Sequence, residues 1–178
     1  MFSVTPLLWL LIVGSAWGYP HLPNHAPQIS STQPIPPDVL ITLERTGCEG
    51  GCAVYSLSVF ADGRVVYRGK YFVRNRGRAE AKLTLEQLRQ LLAEFEKADY
   101  FSLRNRYQYP QEGCPSTGID YPGAITSFRI NGRAKTITHD YGCREKSPDG
   151  AYPSVYPREL FALERRIDEI VGTSKWTK

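Results

Sequence analysis

Residues 54–98 read VYSLSVFADGRVVYRGKYFVRNRGRAEAKLTLEQLRQLLAEFEKA, and the reading of this stretch decides the fold. Tyr55, Leu57 and Val59 alternate with Val54, Ser56 and Ser58, the period-two pattern of a half-buried strand. Asp62-Gly63 is expected to be a two-residue type I′ hairpin turn, which needs φ > 0 at both positions. Arg64–Tyr71 is the next strand. Asn75-Arg76-Gly77 turns the chain again, and Arg78–Leu83 follows with Ala79, Ala81 and Leu83 facing inward. At Thr84 the period changes. Thr84-Leu85-Glu86-Gln87 fits a capping box, in which the Thr hydroxyl and the Gln side chain satisfy free amides at a helix start. Leu85, Leu88, Leu91, Leu92 and Phe95 then form one apolar stripe at helical spacing, fading near Ala98.

The rest of the chain extends this pattern. Val39–Glu44 is a strand with Val39, Ile41 and Leu43 on its core face. Residues 104–123 are irregular and rich in Tyr, Pro and Gly. Ala124–Ile130 and Arg133–Tyr141 form a hairpin about Asn131-Gly132. After a second Pro/Tyr loop, Pro157 opens a last helix, where its missing N–H costs nothing. Leu160, Leu163, Ile167, Ile170 and Val171 give that helix a buried face, and Gly172 stops it. The predicted order is ββββαββα: an α+β domain with a mainly antiparallel sheet of about six strands and two helices on one face.

The N-terminus reads differently. Residues 6–18, PLLWLLIVGSAWG, are apolar and uncharged, and Ala16 and Gly18 are spaced like the small residues of a cleavage site. This predicts a signal peptide over 1–18 and an extracytoplasmic mature chain, periplasmic or secreted, without a transmembrane span. Residues 19–37 hold six prolines and few large apolar groups, the composition of a flexible tether. His21 and His25 lie there and are not expected to bind metal. One domain of ordinary size, 38–178, follows. The net charge of +4 is well short of a nucleic-acid footprint.

Behind a signal peptide, Cys48, Cys52, Cys114 and Cys143 are read as disulfide cysteines. Gly50 and Gly51 allow a sharp turn between Cys48 and Cys52. A redox-active pair would want C-x-x-C, and a zinc site would want a second close-spaced pair; neither is present.

Arg45-Thr46-Gly47-Cys48-Glu49-Gly50-Gly51-Cys52-Ala53-Val54-Tyr55 resembles the opening R-T-x-C-x-G-x-C-P-x-Y of a family of bacterial secreted proteins, domain of unknown function 6438. Asp62-Gly63-Arg64-Val65 with Tyr67 and Gly69, the stretch Leu92–Tyr107, Leu163-Glu164 with Ile167-Asp168, and Lys175-Trp176 are similar to later parts of its pattern. The resemblance implies a bacterial extracytoplasmic domain and brings no catalytic residue with it. Ala53 stands where the family often has Pro. Cys114 and Cys143 are additions to the pattern, most simply read as a second disulfide.

Two surfaces are candidates for binding. Tyr-Pro occurs five times, and four of these lie in the two long loops that Cys114 and Cys143 would tie together. Tyr109, Tyr121, Tyr152 and Tyr156 therefore form a candidate aromatic contact surface. Arg64, Arg68 and Lys70 share parity on one strand, with Arg74, Arg76 and Arg78 about the next turn, a candidate site for an anionic partner. The alternative for each is a solvated or self-packed surface. For catalysis, the candidates are His139, expected to be half-exposed on the last strand, and the loop carboxylates Glu112, Asp120 and Asp149. No nucleophile motif accompanies them. The sequence thus favours non-enzymatic binding of an envelope protein or an anionic polymer, without a cofactor. An envelope hydrolase and a purely structural envelope domain are the alternatives.

Overall fold

The computed structural model describes residues 34–146 and 153–178. The expected signal peptide, His21, His25, Asp149 and Tyr152 lie outside the described residues, as does all of the tether before residue 34. The fold is α+β. Seven strands form one sheet: β1 (Leu40–Arg45), β2 (Val54–Phe60), β3 (Arg64–Tyr71), β4 (Gly77–Lys82), β5 (Arg106–Tyr107), β7 (Gly123–Ile130) and β8 (Arg133–Asp140). Their spatial order is β4-β3-β2-β1-β7-β8-β5. All neighbours pair antiparallel except β5, which runs parallel to β8. A second sheet of three short strands, β6 (Ser116–Thr117), β9 (Cys143–Glu145) and β10 (Ser154–Val155), gathers the long loops. The helices are α1 (Leu85–Lys97), α2 (Arg158–Val171) and, after α2, a short α3 (Ser174–Thr177).

The core follows from the alternation. Ile41, Leu43, Leu57, Val59, Val65, Tyr67 and Ile137 are buried, as are Leu88, Leu91, Leu92 and Phe95 of α1 and Leu160, Leu163 and Ile167 of α2. Complete burial of a Leu or Ile side chain stabilises by roughly 1.5–3 kcal/mol, so this layer holds the helices to one sheet face. The outward residues of the same strands, among them Thr42, Ser56, Ser58, Val66, Ser127 and Thr136, stay partly or wholly exposed. No described element covers them.

Several expectations are confirmed in detail. Thr84 and Gln87 form the reciprocal capping box of α1, Gly172 ends α2 at φ 70, and Asn131 and Gly132 take φ 51 and 72 in the β7–β8 turn. Others are corrected. The sheet has seven strands, because β5 pairs through only two residues, too short for a period to show. Leu85 is 54% exposed, so the buried stripe of α1 begins at Leu88. Pro157 is the residue before α2 and not its first. The β2–β3 connection has three residues, with Gly63 at φ 81 and no positive φ at Asp62; Gly63 N–H bonds Phe60 O at 2.8 Å. That is a type I turn closed by a left-handed glycine. Asp62 instead accepts from the Arg64 amide at 2.9 Å.

Candidate functional site

The two ends of the sheet are built differently. One end carries the short turns at residues 61–63 and 131–132, and Asp38, whose carboxylate accepts from the Asn131 and Gly132 amides at 3.0 and 2.7 Å. The other end carries the long connections: β1 to β2, β3 to β4, the segment before β7 and the segment after β8. Both disulfides are at this end. Cys48 pairs with Cys52, and Cys114 with Cys143, so none of these thiols is free to ligate zinc or to act as a nucleophile. Loops closed in this way have given up roughly 2 and 3.5 kcal/mol of unfolded-chain entropy by the loop-length relation.

Beneath the loop end lies a polar lock between sheet and helix. Arg45, at the end of β1, donates to Asp168 of α2 through Nε at 3.0 Å and Nη2 at 2.7 Å, and to the Glu164 carbonyl at 2.8 Å. Tyr55 donates to the other Asp168 oxygen at 2.6 Å, and Thr173 does so at 3.0 Å. Arg45 also donates to the Tyr141 hydroxyl, which passes its own hydrogen to Glu164 at 2.8 Å. Glu164 is wholly buried; it accepts from Thr126 at 3.1 Å and faces His139 Nδ1 at 2.9 Å. Each charged group of this network has several polar partners, the condition under which buried charge is tolerated. Burial works to lower the Arg45 pKa, but the Asp168 and Glu164 charges outweigh it and hold the guanidinium above its ordinary value. Burial, then the Asp168 charge, push the Tyr55 phenol above its usual range.

Parts of the opening motif, of α2, of the tail and of β3 at Tyr67, all quoted for their family resemblance, therefore meet in space. Arg45 and Tyr55 come from the opening motif, Glu164 and Asp168 from α2, and Trp176 of the tail stacks on Tyr67 with ring centroids 4.6 Å apart. Tyr67 in turn lies 5.4 Å from Tyr55. The sequence pattern of Domain of unknown function (DUF6438) matches residues 39–171, spanning all of this network but the tail. The chain belongs to the DUF6438 family. No curated protein matches it significantly. In this DUF6438 domain the opening arginine and tyrosine clamp α2, while Cys48 and Cys52 close the loop between them.

The candidate residues are distributed as follows. Tyr109 and Tyr121 are exposed, at 60% and 44%, and the Arg144 guanidinium lies 4.3 Å from the Tyr121 ring centre. Tyr156 is half-buried; its ring meets Tyr107 edge-on and its carbonyl accepts from His139 Nε2 at 3.1 Å. His139 is 1% exposed, not half-exposed. It sits on the helix-facing side of β8, and both ring nitrogens are engaged. Glu112 is tied to the Gln108 and Tyr109 amides at 3.1 and 3.2 Å, and Asp120 is exposed with φ 64. Arg64 lies flat over Phe60, 3.9 Å from its ring centre. Arg68 is exposed, and Lys70 bonds Glu44 at 2.7 Å. Among the described residues, no three His, Cys, Asp or Glu gather as metal ligands would.

Sequence reasoning missed three features of this end. Tyr71 and Phe72 are exposed, at 62% and 64%, as is Ile119 at 84%. Phe72 takes φ 51, a left-handed conformation that a bulky side chain rarely adopts; its ring lies beside Gly51 in the Cys48–Cys52 loop. A cleft of about 280 Å³ opens at the same end, lined among others by Arg45, Thr46, Ala53, Tyr55, Tyr141 and Arg165. The larger groove between α1 and α2, about 350 Å³, is bridged by paired charges: Arg166 bonds Glu94 at 3.0 Å and Glu169 at 2.6 Å.

Proposed function

We propose that this DUF6438 domain is an extracytoplasmic binding module whose contact surface is the loop end of its sheet. One observation carries the reading. Of the six exposed large apolar side chains among the described residues, five (Tyr71, Phe72, Tyr109, Ile119 and Tyr121) belong to that end, and only Leu85 does not. Solvent-exposed aromatics gathered on one set of loops mark recognition surfaces. The disulfides support the same reading: loops held in place before binding lose less entropy on binding. Both disulfides fit an oxidising compartment, and among the described residues no helix is long and apolar enough to cross a membrane. The partner is an envelope or extracellular protein that offers apolar surface to Tyr109, Tyr121 and their neighbours. Hydrolysis is disfavoured by His139, whose ring is buried and engaged at both nitrogens, and by Glu112, whose carboxylate is tied to the Gln108 and Tyr109 amides.

The test is a pair of variants, Tyr109→Ala/Tyr121→Ala and Phe72→Ala/Ile119→Ala, compared with the parent for capture of partner from envelope extract. Removing an anchor costs over about 1 kcal/mol, several-fold in affinity, while melting temperatures stay near the parent's because these side chains are outside the core. Melting points that collapse, with capture per folded molecule unchanged, would show packing residues and remove the reading.

A further inference from the structure

The outer face of the β3–β4 hairpin is strongly basic. Residues 61–83 hold seven cations, Arg64, Arg68, Lys70, Arg74, Arg76, Arg78 and Lys82, against two carboxylates, Asp62 and Glu80. This excess is larger than the whole chain's net charge of +4, so the positive charge of the protein is concentrated in one hairpin. The register places it further. Arg64 lies directly opposite Lys82, and Arg68 directly opposite Arg78, all on the sheet face that no described element covers. Like charges directly opposite one another on a sheet are destabilising, so a free hairpin of this kind stores repulsion that a bound anion would relieve. Internal neutralisation is incomplete. Glu80 is taken by Arg78, Asp62 by Lys82 and Glu44 by Lys70, while Arg68, Arg74 and Arg76 make no ion pair among the described residues.

We propose that this face binds a linear phosphate-bearing polymer lying along the hairpin. The two cation pairs are four residues apart, roughly 13 Å at the usual rise per residue, and the exposed Arg74 and Arg76 follow in the β3–β4 connection. A guanidinium fork engages each phosphate by two parallel hydrogen bonds, and a chain of phosphates brings closely spaced negative charge to both cation pairs. Five of the seven cations are arginines, the side chain suited to oxoanions. The two cation pairs lie on the face of the sheet and Tyr109 and Tyr121 on the loops at its end, so the two surfaces can be varied separately, although Arg74 and Arg76 reach the loop end.

The test uses the full disulfide-bonded chain and long-chain inorganic polyphosphate, with affinity followed against salt concentration. The parent binds, and its affinity falls steeply with salt. Arg68→Thr/Arg74→Thr weakens binding at least about tenfold and lowers the salt slope by about 1.4, or about 0.7 for each phosphate that is no longer neutralised. The melting temperature of Arg68→Thr holds or rises, because a repulsive pair is gone; a packing role would lower it. Tyr109→Ala/Tyr121→Ala leaves polyphosphate binding unchanged, so failure here and failure of the loop-end reading are separable. Equal affinity in the arginine variants would overturn the proposal. So would hyaluronate binding as tightly as polyphosphate, or binding to phosphatidylglycerol vesicles alone.

Discussion

Replacing Asp168 by alanine removes the acceptor on which three parts of the chain converge. Arg45 loses two hydrogen bonds of 3.0 and 2.7 Å, Tyr55 one of 2.6 Å and Thr173 one of 3.0 Å. The two charged side chains are only 11% and 20% exposed, so solvent does little to replace those bonds. Breaking a largely buried pair from one side costs about 3–5 kcal/mol, because the Arg45 guanidinium loses the carboxylate it is bonded to and keeps only the Glu164 carbonyl and the Tyr141 hydroxyl as direct acceptors. Against a typical total stability of about 5–15 kcal/mol, that is a large share. At about 2–4 °C per kcal/mol for a domain near this size, the melting temperature of Asp168→Ala should fall by about 6–20 °C. Asp168→Asn keeps an acceptor oxygen and should fall between Asp168→Ala and the parent. Urea titration with the disulfides intact checks both, with an unchanged slope confirming that the same surface unfolds. A destabilisation below about 1 kcal/mol for Asp168→Ala, the range of an exposed ion pair, would refute the lock.

Three further outcomes follow from particular interactions. Cys114→Ser/Cys143→Ser should cost about 3.5 kcal/mol and open residues 108–122 to limited proteolysis, read by peptide mapping; an uncut loop and an unshifted melting point would contradict the staple. Tyr67→Phe should leave stability unchanged or slightly higher, because the buried Tyr67 hydroxyl has no hydrogen-bond partner among the described residues and an unpaired buried hydroxyl is a cost; a destabilisation above about 1 kcal/mol in urea would show a partner. Hydrogen bonds from Gly132, then Asn131, hold the Asp38 pKa below its ordinary value. Its contribution is therefore full above the unfolded-state value of about 3.9 and is lost as pH falls through the lowered native one. Asp38→Asn should flatten the acid limb of a stability profile taken from about pH 6 to about pH 2, and an identical limb would rule out the contribution.

Local chemistry explains what the sequence could and could not disclose. Alternation in β1, β2 and β3 and the stripe of α1 are one-dimensional patterns, so their burial is readable from residue order alone. The capping box at Thr84 and the left-handed stop at Gly172 are equally local. The β2–β3 turn differs from its expected type because Asp-Gly serves both a type I′ turn and the end of a type I turn, and only the pairing of Val59 with Val65 separates them. Strands β5, β6, β9 and β10 run two or three residues each, shorter than any detectable period. The burial of His139 is invisible in sequence because its partners, Glu164 and the Tyr156 carbonyl, are 25 and 17 residues away. The basic parity of Arg64, Arg68 and Lys70 is visible in the strand; that Arg68 faces Arg78 requires the register.

The geometry also gives the domain a direction. The chain enters at the short-turn end, where Asp38 is tied to the Asn131–Gly132 turn, and the stapled loops are at the opposite end, up to eight sheet residues away. A photo-crosslinking residue placed at Tyr121, with a second protein carrying it at Ala61 on a short turn, reports which end of the sheet touches the partner. A discrete partner adduct is expected from position 121 in the native envelope, absent in the Tyr109→Ala background, and none from position 61. Equal adducts from both positions, or adducts from position 61 alone, would contradict it.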